Sequence, residues 1–372
     1  MSTARVIAFY LPQFHPTEDN DRWWGKGFTE WTNVGKAVPL FKGHYQPKVP
    51  ADLGYYDLRL PVIREQQAAL AKHSGIEGFC YYHYWFGEGK TELEMPFNEV
   101  VKSGSPDFPF CLCWANETWH AKLWKNDGTS QNRALLTQSY PGRKDNEAHF
   151  YSLLSAFKDK RYIRYKGKPV FMVYRPFDFA GVGDFMRQWN DLAQKNGFPG
   201  FHFVAQCMFA QDINKVMDLG FDAVNILRLN NFISLYKSRV KRRLTIEYHK
   251  LTRKPYVYEY RDILGRLVGE EERQANVYPS LIPNWDHTPR SGNSGYLLHH
   301  AEPRFFKQHV ESVLKVINDK DPEDRMVFLK SWNEWGEGNY VEPDLRYGHG
   351  YLDVLKACLL DAGEDGRMEE TL

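Results

Sequence analysis

The 372-residue chain lacks the features that would place it in several large functional classes. It has almost no charge excess: 48 Lys and Arg stand against 47 Asp and Glu, so the balance does not select nucleic acid or a polyanion as the main partner. Its five cysteines, Cys80, Cys111, Cys113, Cys207 and Cys358, form no C-x-x-C pair, which argues against a zinc site or a disulfide framework. Four lie in apolar, strand-like runs and read as buried thiols of a reducing compartment. No apolar stretch approaches the roughly 18 residues of a membrane span. The opening "MSTARVIAFYLPQFHP" has no long apolar core of a secretory leader, so a cytoplasmic protein is expected. No H-x-H or H-E-x-x-H occurs, and neither metal nor cofactor is expected. Asp19 and Asp21 form a D-x-D of the kind with which sugar-nucleotide transferases hold a metal, but "PTEDNDRWW" reads as an exposed polar loop.

Aromatic residues, by contrast, are abundant, at 15% with 11 Trp and 22 Tyr. Such side chains join a flat apolar face to a polar edge, which suits a sugar ring, although an aromatic-rich core would have the same composition. Eight short apolar runs recur along the chain: 5–11, 76–85, 108–115, 168–175, 201–208, 221–229, 278–285 and 325–332. Most are continuous rather than alternating, as parallel strands buried on both faces are. Amphipathic helical segments separate them, at 59–75 (ending on Gly75), 146–160, 182–197, 303–320 and 350–363. Eight βα units predict a single (β/α)₈ barrel over residues 1–372. A doubly wound sheet is the alternative, against which Pro12 and Gln13 stand where a G-x-G-x-x-G would follow the first strand. Long insertions follow strand one (13–58) and strand six (230–277), and the tail from about 363 reads as frayed. Within the second insertion, 237–254 carries eight Lys or Arg and one Glu. It reads as a solvated helix face or as a dock for a phosphate or anionic lipid head group, a peripheral membrane contact.

Barrel enzymes build their sites at the C-terminal ends of the strands. Those ends carry Gln13 and His15; Tyr82, His83, Tyr84 and Trp85; Trp114, Asn116 and Glu117; Arg175; Gln206; Arg228; and Asn284 and Asp286. The insertion "RWWGKGFTEWTNVGKA" adds Trp24, Glu30 and Trp31, and the eighth strand ends in "WNEWGEG", with Trp332, Asn333, Glu334 and Glu337. Amides and acids for hydroxyls, with indoles for ring faces, make a rim suited to an oligosaccharide or polysaccharide. His15 and His83 could equally be structural, and any one of the tryptophans could be core. Glu334 and Glu337 are the strongest candidates. Two carboxyls at one rim are the apparatus for breaking a glycosidic bond, and their mutual repulsion should raise one pKa. Gly336 and Gly338 would let the backbone approach a ligand.

The strings "PQFHPTEDNDRWWGKGFTEWTNV", "GFCYYHYWF", "CWANETW" and "SWNEWGEGNYVEP" resemble the WbsX-type polysaccharide-biosynthesis proteins over nearly the whole chain. These are relatives of glycoside hydrolase family 99, the endo-α-mannosidases and endo-α-mannanases, to which the likeness is concentrated in "WNEWGEG" and the following "EP". The resemblance implies a (β/α)₈ barrel and a retaining mechanism on 1,2-trans α-glycosides such as α-mannosides or α-rhamnosides. Glu334 would deprotonate the substrate's own 2-hydroxyl, which attacks C1 to give a 1,2-anhydro sugar. Glu337 would protonate the leaving group and later activate the acceptor. Gly336 departs from the hydrolases, where a histidine is expected. The same resemblance implies a place in surface-polysaccharide (O-antigen or capsule) metabolism. Hydrolysis, transglycosylation and sugar-nucleotide glycosyl transfer all remain readings of this chain, as does a non-catalytic glycan-binding barrel.

Overall fold

The computed structural model describes residues 4–124, 130–229, 239–252 and 254–361. Eight parallel strands form its centre: β1 (Arg5–Tyr10), β2 (Gly78–Trp85), β3 (Phe110–Trp114), β4 (Lys168–Val173), β5 (His202–Cys207), β6 (Ala223–Ile226), β7 (Val277–Leu281) and β8 (Met326–Leu329). Each pairs with the next, and β8 pairs with β1, so the ring closes. Ala8 of β1 lies in register with Phe79 on one side and Leu329 on the other. The eight apolar runs of the sequence are these eight strands, shorter by a few residues at their ends. Their continuous hydrophobicity follows from burial on both faces, against the barrel interior and against the helices outside.

The outer layer comprises α1 (Pro61–His73), α2 (Met95–Ser103), α3 (Arg143–Lys158), α4 (Val182–Lys195), the short α5 (Ile213–Met217), α7 (Pro303–Ile317) and α8 (Gly350–Leu359), while α6 (Arg239–Thr252) belongs to the insertion after β6. Proline at the first turn starts α1, α2 and α7, where its missing N–H has no helical partner to lose. None of the described helices is long and apolar enough to cross a membrane.

The inserted segments carry structure of their own. The one after β1 holds two short helices, Glu18–Trp24 and Glu30–Gly35. A hairpin after β3, Trp119–Trp124 with Ser130–Leu136, was not separable in the sequence. The insertions after β6 and β7 join through a parallel two-stranded ladder, Tyr256–Glu259 with Tyr296–His299. Residues 230–238 and 253 of the second insertion, and the tail from 362, fall outside the described residues.

Much of the aromatic content is core. Trp114, Trp189, Trp332 and Trp335 are fully buried. Trp189 packs against Phe150, Phe157, Phe171, Phe185 and Phe201 between the α3–α4 layer and the barrel, and its indole N–H donates to the Asn146 carbonyl at 2.9 Å. Trp189→Ala is expected to cost about 3–5 kcal/mol, the scale of a large aromatic deleted from a close-packed core. Urea or thermal unfolding monitored by circular dichroism measures it, and a change within error would mean that this layer is loosely packed.

Candidate active site

Beyond β8 the chain turns outward and folds back on itself. Asn333 and Glu334 pair antiparallel with Asn339 and Tyr340, and the tight turn between them carries Glu337. This loop is fixed from several sides. The Asn333 amide accepts from the Leu11 N–H at 2.8 Å and donates to the Leu11 carbonyl at 3.0 Å, which clips the end of β8 to the end of β1. The Ser331 hydroxyl accepts from the Glu334 N–H at 3.0 Å and donates to the Asn339 carbonyl at 2.7 Å. Beneath the turn, Glu342 accepts from Trp335 Nε1 (2.6 Å), Gln67 Nε2 (2.6 Å) and the Tyr56 hydroxyl (2.9 Å). Burial pushes the Glu342 carboxyl up to about 7 despite these donors.

Both candidate carboxyls lie in this mouth, among cations. Glu334 is 5% exposed, and both of its oxygens accept from Lys330 Nζ, at 2.9 and 2.8 Å. Lys330 also donates to the Tyr82 hydroxyl at 2.8 Å. Arg290 donates to Glu337 Oε1 at 2.6 Å and turns its other edge to Glu30 Oε1, at 2.8 and 3.1 Å. His287 stands 3.8 Å from the same Glu337 oxygen. Burial raises the Glu334 pKa; Lys330 opposes that rise and the Glu337 charge adds to it. Burial also works to raise Glu337, but Arg290, Lys330 and His287 overcome it and hold Glu337 below the ordinary carboxylate range. Glu334 is therefore the carboxyl of higher pKa and Glu337 the one of lower pKa. The repulsion expected from sequence does lift one carboxyl, but it is not the one cast as the acid.

The two glycines serve the protein's own groups. A Cβ at Gly336 would lie 1.7 Å from Glu30 Oε1, so the absent side chain is what lets Glu30 reach Arg290. Gly338 has φ +53°, and a Cβ there would meet Lys48 Nζ and Asp286 Cβ at 2.6 Å each. A glutamate's approach to residue 336 thus explains the departure from the expected histidine.

The other predicted residues divide into two groups. Tyr82 and Tyr84 line the mouth: burial first and the Glu334 charge second raise both hydroxyls, and Glu117 acts on Tyr84 as well. Glu117 pairs with Arg175 at 3.0 Å, both partly exposed. Gln206 is buried, and neither end of its amide has a protein partner. Glu30 is completed by Arg290, as above. Gln13 reaches this network through its carbonyl, which accepts from the Glu30 N–H at 2.9 Å.

The remaining positions are occupied by structural contacts. His83 meets His149 at 2.8 Å, and burial lowers its pKa to about 3. His15 bonds the Pro12 carbonyl, and burial lowers its pKa too. Asn116 ties Tyr140 to the Arg175 backbone, and Asn284 brackets the Tyr340 backbone. Asp286 accepts from His44, Gln46 and Thr288. Arg228 is committed to Glu271 and Glu272. Trp85 and Trp114 donate to Asp145 and to the Trp85 carbonyl, Trp31 donates to the Tyr56 carbonyl, and Trp332 is core. Trp24 is 47% exposed on the first inserted helix and stacks on Phe28. Amides at strand ends find unpaired backbone close by, which is why the asparagines bond there.

Sequence reasoning missed Lys330 and Arg290. The signal for the first was a lysine inside "FLKSWNEW"; the second closes "NWDHTPR", a string already placed at the rim. Asp19, of the D-x-D, is held by Arg22 and Lys90. Among the described residues one group could hold a metal: Glu259, His299 and His300, with ligand atoms within 4.8 Å of one another. It sits at the end of the inserted ladder and supplies no group to the carboxylate network.

With this geometry in place, comparison with known proteins is informative. Two solved structures share the fold. A "glycoside hydrolase-like protein" is 15% identical with TM-score 0.60, covering 96% of this chain and 94% of its own. The GH99 endo-alpha-mannosidase of Bacteroides thetaiotaomicron is 14% identical with TM-score 0.57, covering 98% of both chains. Uncharacterized protein WxcX of Xanthomonas campestris pv. campestris (strain B100) is 36% identical over 361 residues, or 96% of this chain. The chain spans about half the length of that curated relative (50%). The family model described as "Glycosyltransferase WbsX" matches residues 6–355, and the chain belongs to that family.

Proposed function

We propose that this barrel is a carbohydrate-active enzyme of polysaccharide metabolism, cleaving or transferring 1,2-trans α-glycosides of the α-mannoside or α-rhamnoside kind with retention. The observation that carries the reading is the pair of carboxyls at the barrel mouth, each held against its own cation and pushed apart in pKa, as an acid and a base working on one bond need to be. In the reactive complex Glu334 takes the proton of the substrate's 2-hydroxyl. O2 attacks C1, the bond from C1 to the leaving oxygen breaks, and Glu337 gives its proton to that oxygen. In the second step Glu337 removes a proton from water or a sugar hydroxyl, which opens the 1,2-anhydro ring at C1, and Glu334 returns its proton to O2. In the reactive complex Glu334, the carboxyl of higher pKa, has to be ionised and Glu337 protonated.

Charge balance favours this chemistry over transfer from a sugar nucleotide. Glu30, Glu334 and Glu337 face two cations, Lys330 and Arg290, both already engaged. Among these five described side chains no positive charge is in excess to stabilise a departing diphosphate, whereas a neutral sugar that gains positive character at C1 is favoured. Nucleotide-dependent transfer by the purified protein, with no turnover of plain glycosides, would reverse this preference.

Glu334→Gln and Glu337→Gln are each expected to lower turnover by at least about 10²-fold with the fold intact, since Gln keeps the shape and loses the ionisable proton. An aryl glycoside with a good leaving group should partly rescue Glu337→Gln and leave Glu334→Gln inactive. Rescue of the opposite variant would exchange the two roles, and normal turnover of a 2-deoxy glycoside would remove the internal nucleophile from the mechanism.

The pH profile tests the cation. Arg290 favours ionised Glu337, so its loss raises the Glu337 pKa. In Arg290→Gln the acidic limb of kcat/KM, which follows the lower pKa of Glu337, should therefore move to higher pH, while the alkaline limb, which follows the higher pKa of Glu334, moves less. An unshifted acidic limb would show that Arg290 does not govern Glu337.

A further inference from the structure

The helix α6 is turned the wrong way round for an ordinary surface helix. Its sequence, RVKRRLTIEYHKLT, holds five Lys or Arg against the single Glu247. Its apolar residues do not cover the barrel. Val240, Leu244, Tyr248 and Leu251 are 68%, 65%, 51% and 86% exposed. At 100° per residue these four fall within an arc of about 80°, a continuous outward stripe. Of the described side chains, Ile246 and His249 are half-buried on the opposite side, and Thr252 is half-buried near the C-terminal end. His249 fixes that rotation: its ring packs on Tyr256 at 3.9 Å and its Nδ1 meets the Lys254 carbonyl at 3.0 Å. The helix thus keeps a histidine inward and leaves two leucines in water.

We propose that α6 is an in-plane anchor that seats this protein on an anionic lipid surface. An apolar stripe of one valine, two leucines and a tyrosine is the right depth for the boundary between head groups and acyl chains. On the helical wheel the positions of Arg243 and Lys250 lie about 60–80° beyond one edge of the stripe, past Glu247, and that of Lys241 lies about 20° beyond the other, places from which a long basic side chain can reach lipid phosphate. The charge selects the occupant. A protein partner for this stripe would need a matching acidic rim around an apolar groove, whereas an anionic bilayer offers both at any point of its surface. The inference is independent of the reaction assigned above.

Flotation of the full chain with vesicles tests it. Wild type is expected to float with phosphatidylcholine vesicles containing about one-third phosphatidylglycerol, not with phosphatidylcholine alone, and to release as salt is raised. Leu244→Glu with Leu251→Glu should abolish flotation and leave the thermal midpoint unchanged, because both side chains are exposed. Arg243→Gln and Lys254→Gln should each weaken binding by about fivefold. Failure of wild type to float on anionic vesicles overturns the proposal, as does flotation unaffected by the leucine changes. Concentration-dependent dimerisation that those changes remove, without vesicle binding, would assign the stripe to a second copy instead.

Discussion

The mouth of the barrel depends on opposite charge placed against two carboxyls that have little water around them. An ionised carboxyl moved out of water loses several kcal/mol of solvation, and two side by side repel as well. Lys330 and Arg290 make the arrangement tolerable. Lys330 covers both oxygens of Glu334, and Arg290 holds Glu337 from the other side. Each cation is fixed in turn, Lys330 by the Tyr82 hydroxyl and Arg290 by Glu30. The cluster spans β2, the first insertion, the loop after β7 and the turn after β8, so a closed barrel is the condition for its existence.

That dependence explains the glycines of the last turn. Glu30 enters from the first insertion into space that any side chain at 336 would fill, and Lys48 does the same at 338. The first insertion is therefore part of the site's wall. It also supplies His44 and Gln46 to Asp286, whose N–H donates to the Glu337 carbonyl at 2.7 Å. Glu337 is held by its backbone as well as by its charge, which would keep it in line with one oxygen in the acid–base role proposed for it.

The strands were legible because burial on both faces leaves an unbroken apolar run, and the longer helices because one face repeats at the helical period. The hairpin at 119–136 was not, since "WHAKLW" and "SQNRALL" carry neither pattern strongly. In the site, Glu334 and Glu337 stood out as acids where a strand run stops. Their partners did not, because Arg290 lies 47 residues from Glu337 and 260 from Glu30, separations set by barrel closure and not by any local period. Asn116, Asn284 and Asn333 show a second use of such side chains. Their side chains are suited to sugar hydroxyls, but strand ends expose backbone N–H and carbonyl groups that the same amides bind. Residue type alone cannot separate those uses; the supply of unpaired backbone nearby decides.

The outward-facing helix and the carboxylates belong to one end of the molecule. The segments after β6 and β7 both leave from the C-terminal ends of their strands, as the turn after β8 does. A short series of contacts connects them. His249 of α6 packs on Tyr256, which stands in register with Tyr296; Tyr296 stacks on Trp285 at 5.5 Å, and the next residue, Asp286, bonds the Glu337 backbone. If α6 seats on a lipid surface as proposed, a glycan displayed from that surface would share its plane with the protein, which raises the effective concentration of such a glycan at a site tethered there.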